Sequence, residues 1–281
     1  MSDGPARESS GEHAHDAPPV DLDGVRAGLE AAVIAANEAI LRVLGQDRIR
    51  VGHKHGEGPV TEADHAADDM LHERLMPLID GAHWLSEESA QEAPLIRGEP
   101  TWVVDPLDGT REFLRGLPEF GVSVGLFIGD RLTMGAVGLP SSRDVLSGLV
   151  AGRRLEVRRN GDALAPLVDS EDVGRVVVSR NDYEWRRLHH QIPYEVYPCG
   201  SAAVKLVHVV DGRASVYFST GPRSVWDVAG GAAVLEAAGG SLVQFNGRPL
   251  QLSPQRIGVP PYAAGAPRTC VAFLRRLGAR I

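Results

Sequence analysis

The segment Thr101-Trp-Val-Val104 reads as an apolar strand that Asp105-Pro106 stops abruptly. Proline fixes its own φ and drives the residue before it out of helical conformation. The turn that follows, Leu107-Asp108-Gly109-Thr110, gathers two carboxylates and the Leu107 carbonyl around one bend. All three are hard oxygen donors of the kind that suits Mg²⁺. Carboxylates crowded in this way repel one another strongly at low dielectric, so a cation is their natural occupant. Gly109 and Thr110 stand where a short helix could begin and expose backbone N–H groups to an anion such as phosphate. The same residues also satisfy an Asx-type turn with solvated acids, so the motif alone leaves both readings open.

Elements on either side limit the architecture. Leu22, Val25, Leu29, Val33, Ala36, Ile40 and Leu44 recur at helical spacing up to Gly45, the stripe of an amphipathic helix. A second helix is expected from Thr61, with Ala63, Ala67, Leu71 and Leu75 on its face and Thr61/Asp64 as a capping pair. Short strands and hairpins follow, with turns at Gly129-Asp130 and Asn160-Gly161. Past them, strands at 176–179, 194–197 and 214–219 alternate with helical patterns at 182–190 and 202–210. A last long helix over 226–238 ends at Gly239-Gly240. Helices and a meander followed by alternating β and α predict an α/β fold. The expected division is a disordered polar tail over 1–20, an N-terminal α+β subdomain over 21–150 and a C-terminal α/β subdomain over 151–281. The cluster Arg153, Arg154, Arg158 and Arg159 surrounds a hairpin and reads as a solvated turn rather than an anion site.

Composition excludes several classes. The 281 residues carry a net charge of −8, which argues against a nucleic-acid polymer as partner. It does not exclude small anions, because a bound divalent metal inverts the local field. Cys199 and Cys270 are too few for a disulfide framework or a four-cysteine zinc site and read as reduced thiols. No apolar run is long enough for a membrane span, and the N-terminus lacks a secretory pattern. His13 and His15 fall in the tail and read as solvated. A cytoplasmic location is the expectation.

Three further acidic segments have ordinary readings one by one. Glu87-Glu88 follows a short strand as a surface turn would; Asp227 is a first-turn helix acid; Thr61 and Asp64 are a cap. Together they do not look ordinary. The set Pro59-Val-Thr-Glu-Ala-Asp64, Leu85-Ser-Glu-Glu-Ser89, Trp102-Val-Val-Asp-Pro-Leu-Asp-Gly-Thr110, Gly200-Ser-Ala-Ala203 and Trp226-Asp-Val-Ala-Gly230 resembles the inositol monophosphatase superfamily over roughly residues 22–278. The resemblance implies a layered α/β/α/β/α sandwich of the sugar-phosphatase type, commonly a homodimer, with the site between its two halves. It also implies a lithium-sensitive, Mg²⁺-dependent phosphatase acting on a small phosphorylated metabolite, with two or three Mg²⁺ per site.

Carried over by motif, the metal ligands are Glu87, Asp105, the Leu107 carbonyl, Asp108 and Asp227. The resemblance gives Asp64, Thr110 and Glu87 catalytic roles, Thr110 and Asp64 orienting the attacking water and helping to deprotonate it. Substrate-binding residues are Leu107, Asp108, Gly109, Thr110, Gly200, Ser201, Ala202, Lys205 and Asp227. The chemistry has its own logic: paired metals can stabilise attacking and leaving oxygens of an in-line displacement, and phosphoryl transfer needs positioning and charge neutralisation above all.

For the substrate, Arg111-Glu112-Phe113 and Ser219-Thr-Gly-Pro222 resemble the 3′(2′),5′-bisphosphate nucleotidase branch. The inositol-specific members carry a glutamate where this chain has Ser219. Arg111, Ser219 and Arg223 are therefore the candidate specificity residues, and 3′-phosphoadenosine 5′-phosphate or a similar bisphosphate the expected substrate. Inositol 1-phosphate, or another sugar, polyol or histidinol phosphate, is the alternative, and a non-catalytic metal-binding scaffold is a further one.

Overall fold

The computed structural model describes residues 20–54, 58–89, 95–279 and 281. The expected tail, with His13 and His15, lies outside the described residues apart from the exposed Val20.

Helix α1 (Leu22–Leu44) starts at Asp21, whose carboxylate accepts from Gly24 N at 3.1 Å, and buries Val25, Leu29, Val33, Ala36 and Ile40 of the expected stripe. A hairpin of β1 (Val51–Lys54) and β2 (Gly58–Thr61) leads into α2 (Glu62–Leu75). Next come β3 (His83–Ser86), β4 (Thr101–Asp108), the one-turn helix α3 (Thr110–Leu114), β5 (Gly121–Ile128), β6 (Arg131–Leu139), β7 (Asp144–Ala151), β8 (Arg154–Arg159) and β9 (Asp162–Ala163). These seven strands form one sheet in sequence order, antiparallel except for the β3–β4 pair.

The second half holds β10 (Val176–Ser179), α4 (Arg180–Glu184), β11 (Val196–Cys199), α5 (Ala202–Val210), β12 (Val216–Ser219), β13 (Arg223–Ser224), α6 (Val225–Ala237), β14 (Ser241–Val243), β15 (Gly258–Val259), β16 (Tyr262–Gly265) and α7 (Pro267–Arg276). Its main sheet runs β11-β10-β12-β16-β14, with β10, β11 and β12 parallel and β16 antiparallel to both neighbours.

Strand alternation fixes the layers. Trp102 and Val104 of β4 pack with α1 and α2, whereas Val103 between them packs with α5 and α6. Val177 of β10 faces the same inner helices, and Val176 and Val178 face α7 residues Phe273 and Leu274. The order is thus helices, sheet, helices, sheet, helix, the expected α/β sandwich.

Passage between the sheets falls over residues 164–175, later than the boundary expected at 150/151. The arginine-rich hairpin continues the first sheet: β8 pairs with β7 and β9 with β8 around Asn160-Gly161. Asn160 and Gly161 both take positive φ (51° and 86°), as a two-residue turn between twisted strands demands. Arg154 and Arg159 are taken up by Asp23, Glu156 and Asp211, so these charges do face acids at the surface. The helix expected over 182–190 is also shorter. It ends at Glu184, and Arg187, left-handed at φ 53°, separates it from a 3₁₀ turn at Leu188–His190.

Helix α6 lies unusually close to the first sheet. A Cβ placed on Gly125 would meet Ala229 Cβ at 2.7 Å, one on Gly135 would meet Ala233 Cβ at 2.8 Å, and one on Gly230 would meet the Ala136 carbonyl at 2.6 Å. Ser123 Oγ adds a tie, donating to the Trp226 carbonyl at 2.8 Å and accepting from Gly230 N at 3.3 Å. The N-terminus of α6 is thereby brought beside the end of β4.

Candidate active site

A cavity of about 420 Å³ opens where the end of β4, the starts of α3 and α6, and α4 converge. Its floor holds Glu87, Asp105, Leu107, Asp108 and Asp227, and its sides include Gly109, Thr110, Arg111, Gly200 and Arg223.

Carboxylate oxygens of Glu87, Asp105 and Asp227 lie within 4.8 Å of one another. Each is delivered by a different device. Glu87 follows β3, its N–H donating to the Val104 carbonyl at 3.0 Å across the strand pair. Asp105 sits in β4 at the bulge where the register with β5 shifts, and its Oδ1 accepts from Leu107 N at 3.0 Å. Asp227 caps α6, accepting from Ser224 N at 3.0 Å. Asp108 is held from the other half: its Oδ2 accepts from Ser201 Oγ at 2.6 Å and Ala203 N at 2.7 Å, at the start of α5.

Burial pushes the Asp105 carboxyl well above its ordinary range, and the charges of Glu87, Asp108 and Asp227 push it the same way. Asp227 is pushed up to about 7, by burial first and the Asp108 charge second. Acids this close and this buried fit a divalent cation, whose charge removes both penalties. Glu87, Asp105 and Asp227 could hold it directly, with Asp108 and the Leu107 carbonyl at the same floor.

Beside this floor lies a second constellation. Thr110 Oγ1 is 3.1 Å from Asp64 Oδ1 and 3.1 Å from the Leu107 carbonyl. Asp64 Oδ2 accepts from both the backbone N–H and the hydroxyl of Thr61, each at 2.7 Å, completing the capping box of α2. Burial raises the Asp64 carboxyl, opposed by these Thr61 and Thr110 hydrogen bonds. Asp64 and Asp227 are therefore caps and site residues at once: one oxygen of each is held by a helix N-terminus. Gly109 is left-handed at φ 96°, and a Cβ there would meet the Glu119 carbonyl at 2.8 Å, so the turn between Asp108 and Thr110 requires glycine.

Several sequence candidates sit elsewhere. Lys205 is fully buried, and its ammonium donates to the carbonyls of Cys199 (3.1 Å), Gly200 (2.6 Å) and Ser201 (2.7 Å). It shapes the turn ahead of α5 and does not line the cavity. Ser219 is also buried, its hydroxyl on the Gly221 carbonyl at 3.2 Å. Ser201 and Ala202 lie behind Gly200, outside the lining. Sequence reasoning missed Glu112, Arg115, Arg180, Asn181, Glu184 and Trp185, which complete the walls. Arg180 is gripped by Glu119, Glu112 and Glu184, and Glu119 also accepts from Gly200 N at 2.8 Å. The sequence cue was available for the position but not the role: Ser179 starts a helix at this point, its hydroxyl accepting from Asp182 N at 3.1 Å.

Residues 21–275 match the model of the inositol monophosphatase family. Among curated proteins, the chain is 32% identical to inositol monophosphatase 1 of Solanum lycopersicum, covering 89% of this chain and 94% of the relative. It is 30% identical to the 3′(2′),5′-bisphosphate nucleotidase CysQ of Escherichia coli, covering 80% and 93%. The solved inositol monophosphatase of Anabaena superimposes with a TM-score of 0.70 at 25% identity, covering 92% of this chain and 96% of that one. With acids, threonine and left-handed glycine gathered in one cavity, these likenesses establish that the chain belongs to the inositol monophosphatase family, a family of metal-dependent phosphomonoesterases.

Proposed function

We propose that the chain is a Mg²⁺-dependent phosphomonoesterase whose substrate is a nucleoside 3′(2′),5′-bisphosphate such as 3′-phosphoadenosine 5′-phosphate. The observation that carries the chemistry is the floor of Glu87, Asp105 and Asp227 beside the Thr110–Asp64 pair. Oxygen-only donors favour Mg²⁺, which when bound supplies positive charge to the phosphoryl oxygens and acidifies water.

The chain's own residues supply the rest. Thr110 has one hydroxyl proton; donated to Asp64 Oδ1, it leaves the Oγ1 lone pairs to accept from a water in the cavity. Asp64 then takes a proton through Thr110, its orientation fixed by Thr61. Gly109 and Thr110, at the mouth of α3, face the phosphoryl group. No side-chain nucleophile is required: Cys199 and Cys270 are buried free thiols, held well above the ordinary range by burial.

For the substrate, the support is the arginine-bearing wall. Arg111, Arg115, Arg180 and Arg223 all line the cavity; Arg180 is held by Glu112, Glu119 and Glu184, whereas Arg111 and Arg115 pair with no carboxylate among the described residues and can receive a second phosphate. The inositol monophosphatase names among the relatives favour the second reading, a polyol monophosphate such as inositol 1-phosphate. The family likeness also supports lithium inhibition, a homodimer and a cytoplasmic location. Among the described residues no helix is long and apolar enough to cross a membrane.

The test is phosphate release from 3′-phosphoadenosine 5′-phosphate, inositol 1-phosphate, fructose 1,6-bisphosphate and histidinol phosphate, with Mg²⁺ and with EDTA. The adenosine bisphosphate is expected to give the highest kcat/KM, and only with Mg²⁺. Turnover that survives EDTA, or none on any ester, overturns the proposal.

A further inference from the structure

Trp185 is 81% exposed, although tryptophan is among the side chains that gain most from burial. It closes α4, its N–H donating to the Asn181 carbonyl at 3.0 Å. The residue stands on the wall shared by two adjoining spaces. One is the cavity floored by Asp105 and Asp227; the other is a shallower recess of about 450 Å³ that also includes Asp182, Arg186, Gly221 and Pro222. Ser179, Asn181 and Arg223 join Trp185 on this common wall.

The cations around it differ in what they are free to do. Arg180 is committed to Glu112, Glu119 and Glu184. Arg111 on α3 and Arg115 just past its end are both exposed and pair with no carboxylate among the described residues. The same cavity therefore offers a ligand three kinds of group: clustered acids, guanidinium groups that pair with no carboxylate among the described residues, and an open indole. Guanidinium groups suit phosphate through paired N–H donors, and an indole face suits a planar base.

We propose that Trp185 is a specificity residue, the platform on which the base of a nucleotide substrate stacks while Arg111 and Arg115 receive its second phosphate. The inference rests on the proposed phosphatase reading for the ester that is cleaved. Base stacking on Trp185 is a separate property and has its own readout. It predicts that the chain separates nucleotide from polyol esters through KM, because stacking holds the ground state and the transition state alike.

The experiment compares wild type, Trp185→Ala and Trp185→Phe as full chains. With Mg²⁺, Trp185→Ala is expected to raise KM for 3′-phosphoadenosine 5′-phosphate roughly 10- to 100-fold. Its kcat should stay within about twofold, and KM for inositol 1-phosphate or glycerol 2-phosphate should not change. Trp185→Phe, which keeps an aromatic face, should recover most of the loss. With EDTA, so that nothing turns over, adenosine 3′,5′-bisphosphate should quench the tryptophan emission of wild type but not that of Trp185→Phe. The chain has four tryptophans, so this difference assigns the quench to position 185.

Selective loss of KM together with the position-specific quench supports the proposal. Equal losses on both ester classes, or no loss and no quench, overturn it, as does a change of oligomeric state on sedimentation without a change in KM. Quenching by a wild type that hydrolyses no ester would sink the phosphatase reading and leave the base platform standing. Turnover of the nucleotide that is indifferent to Trp185 would do the reverse.

Discussion

Ser201 Oγ donates to Asp108 Oδ2 at 2.6 Å, so the cap of helix α5 in the second half fixes a carboxylate that ends strand β4 in the first. Lys205 stiffens that cap from beneath through the carbonyls of residues 199–201. Hydrogen bonds to charged groups contribute about 1.5–3 kcal/mol. Ser201→Ala is expected to raise the Mg²⁺ concentration giving half-maximal activity about tenfold. Titrating Mg²⁺ at saturating substrate measures this; an unshifted curve would show that the bond does not orient Asp108.

Asp105 is the most crowded of the acids, pushed up by burial and by four neighbouring charges, those of Glu87, Asp108, Asp227 and Asp64. Asp105→Asn keeps the shape and removes the repulsion. Without metal, its melting temperature should equal or exceed that of wild type. Mg²⁺ should stabilise wild type increasingly with the logarithm of its concentration above Kd, and the variant scarcely at all. Calorimetry with and without Mg²⁺ decides, and a full metal-induced shift in Asp105→Asn would contradict the site.

Asp64 acts at one remove, through Thr110. Asp64→Asn should lower kcat by about 10²–10⁴ while leaving KM within about twofold, since it touches proton movement and not substrate. The same substitution weakens the α2 cap, so a thermal melt must show that the variant is folded when assayed.

Glu236, in the last turn of α6, is pushed up to about 7 by burial alone. The folded protein therefore holds this proton more tightly than the unfolded chain does. That contribution is full below the ordinary glutamate range near 4.5 and is lost as pH rises through about 7. A shift of this size corresponds to at most about 3 kcal/mol. Glu236→Gln should raise the melting temperature by several degrees at pH 8 and hardly at all at pH 4.5, and equal gains at both would refute the assignment.

Much of the site was legible because its residues do local work as well. Asp64 announces itself as part of a cap, Asp227 as a first-turn helix acid and Asp105-Pro106 as the end of a strand; each local rule puts a carboxylate at the tip of an element, where a shared cavity can form. Lys205, expected among the substrate-binding residues, is instead satisfied in the interior by three backbone carbonyls, a use of a lysine that no sequence pattern announces. Trp185 and Arg180 gave no signal, since their significance depends on how α4 meets α3 across two halves of the fold. The boundary expected at 150/151 falls inside the first sheet, because the arginine-rich hairpin pairs with β7 and its charges meet Asp23, Glu156 and Asp211, long-range partners that a local composition shift does not reveal.

The glycines beneath α6 have a final implication. Where bulky side chains separate a helix from a sheet, small shifts are absorbed by rotamer changes; here backbone meets backbone, and nothing soft intervenes. A methyl group added at Gly135 would lever the whole rod, and the displacement would arrive at its tip, where Asp227 stands. Such a lesion would surface as weak metal retention in a protein that still folds, so residues with no side chain at all keep the acidic floor in place from a distance.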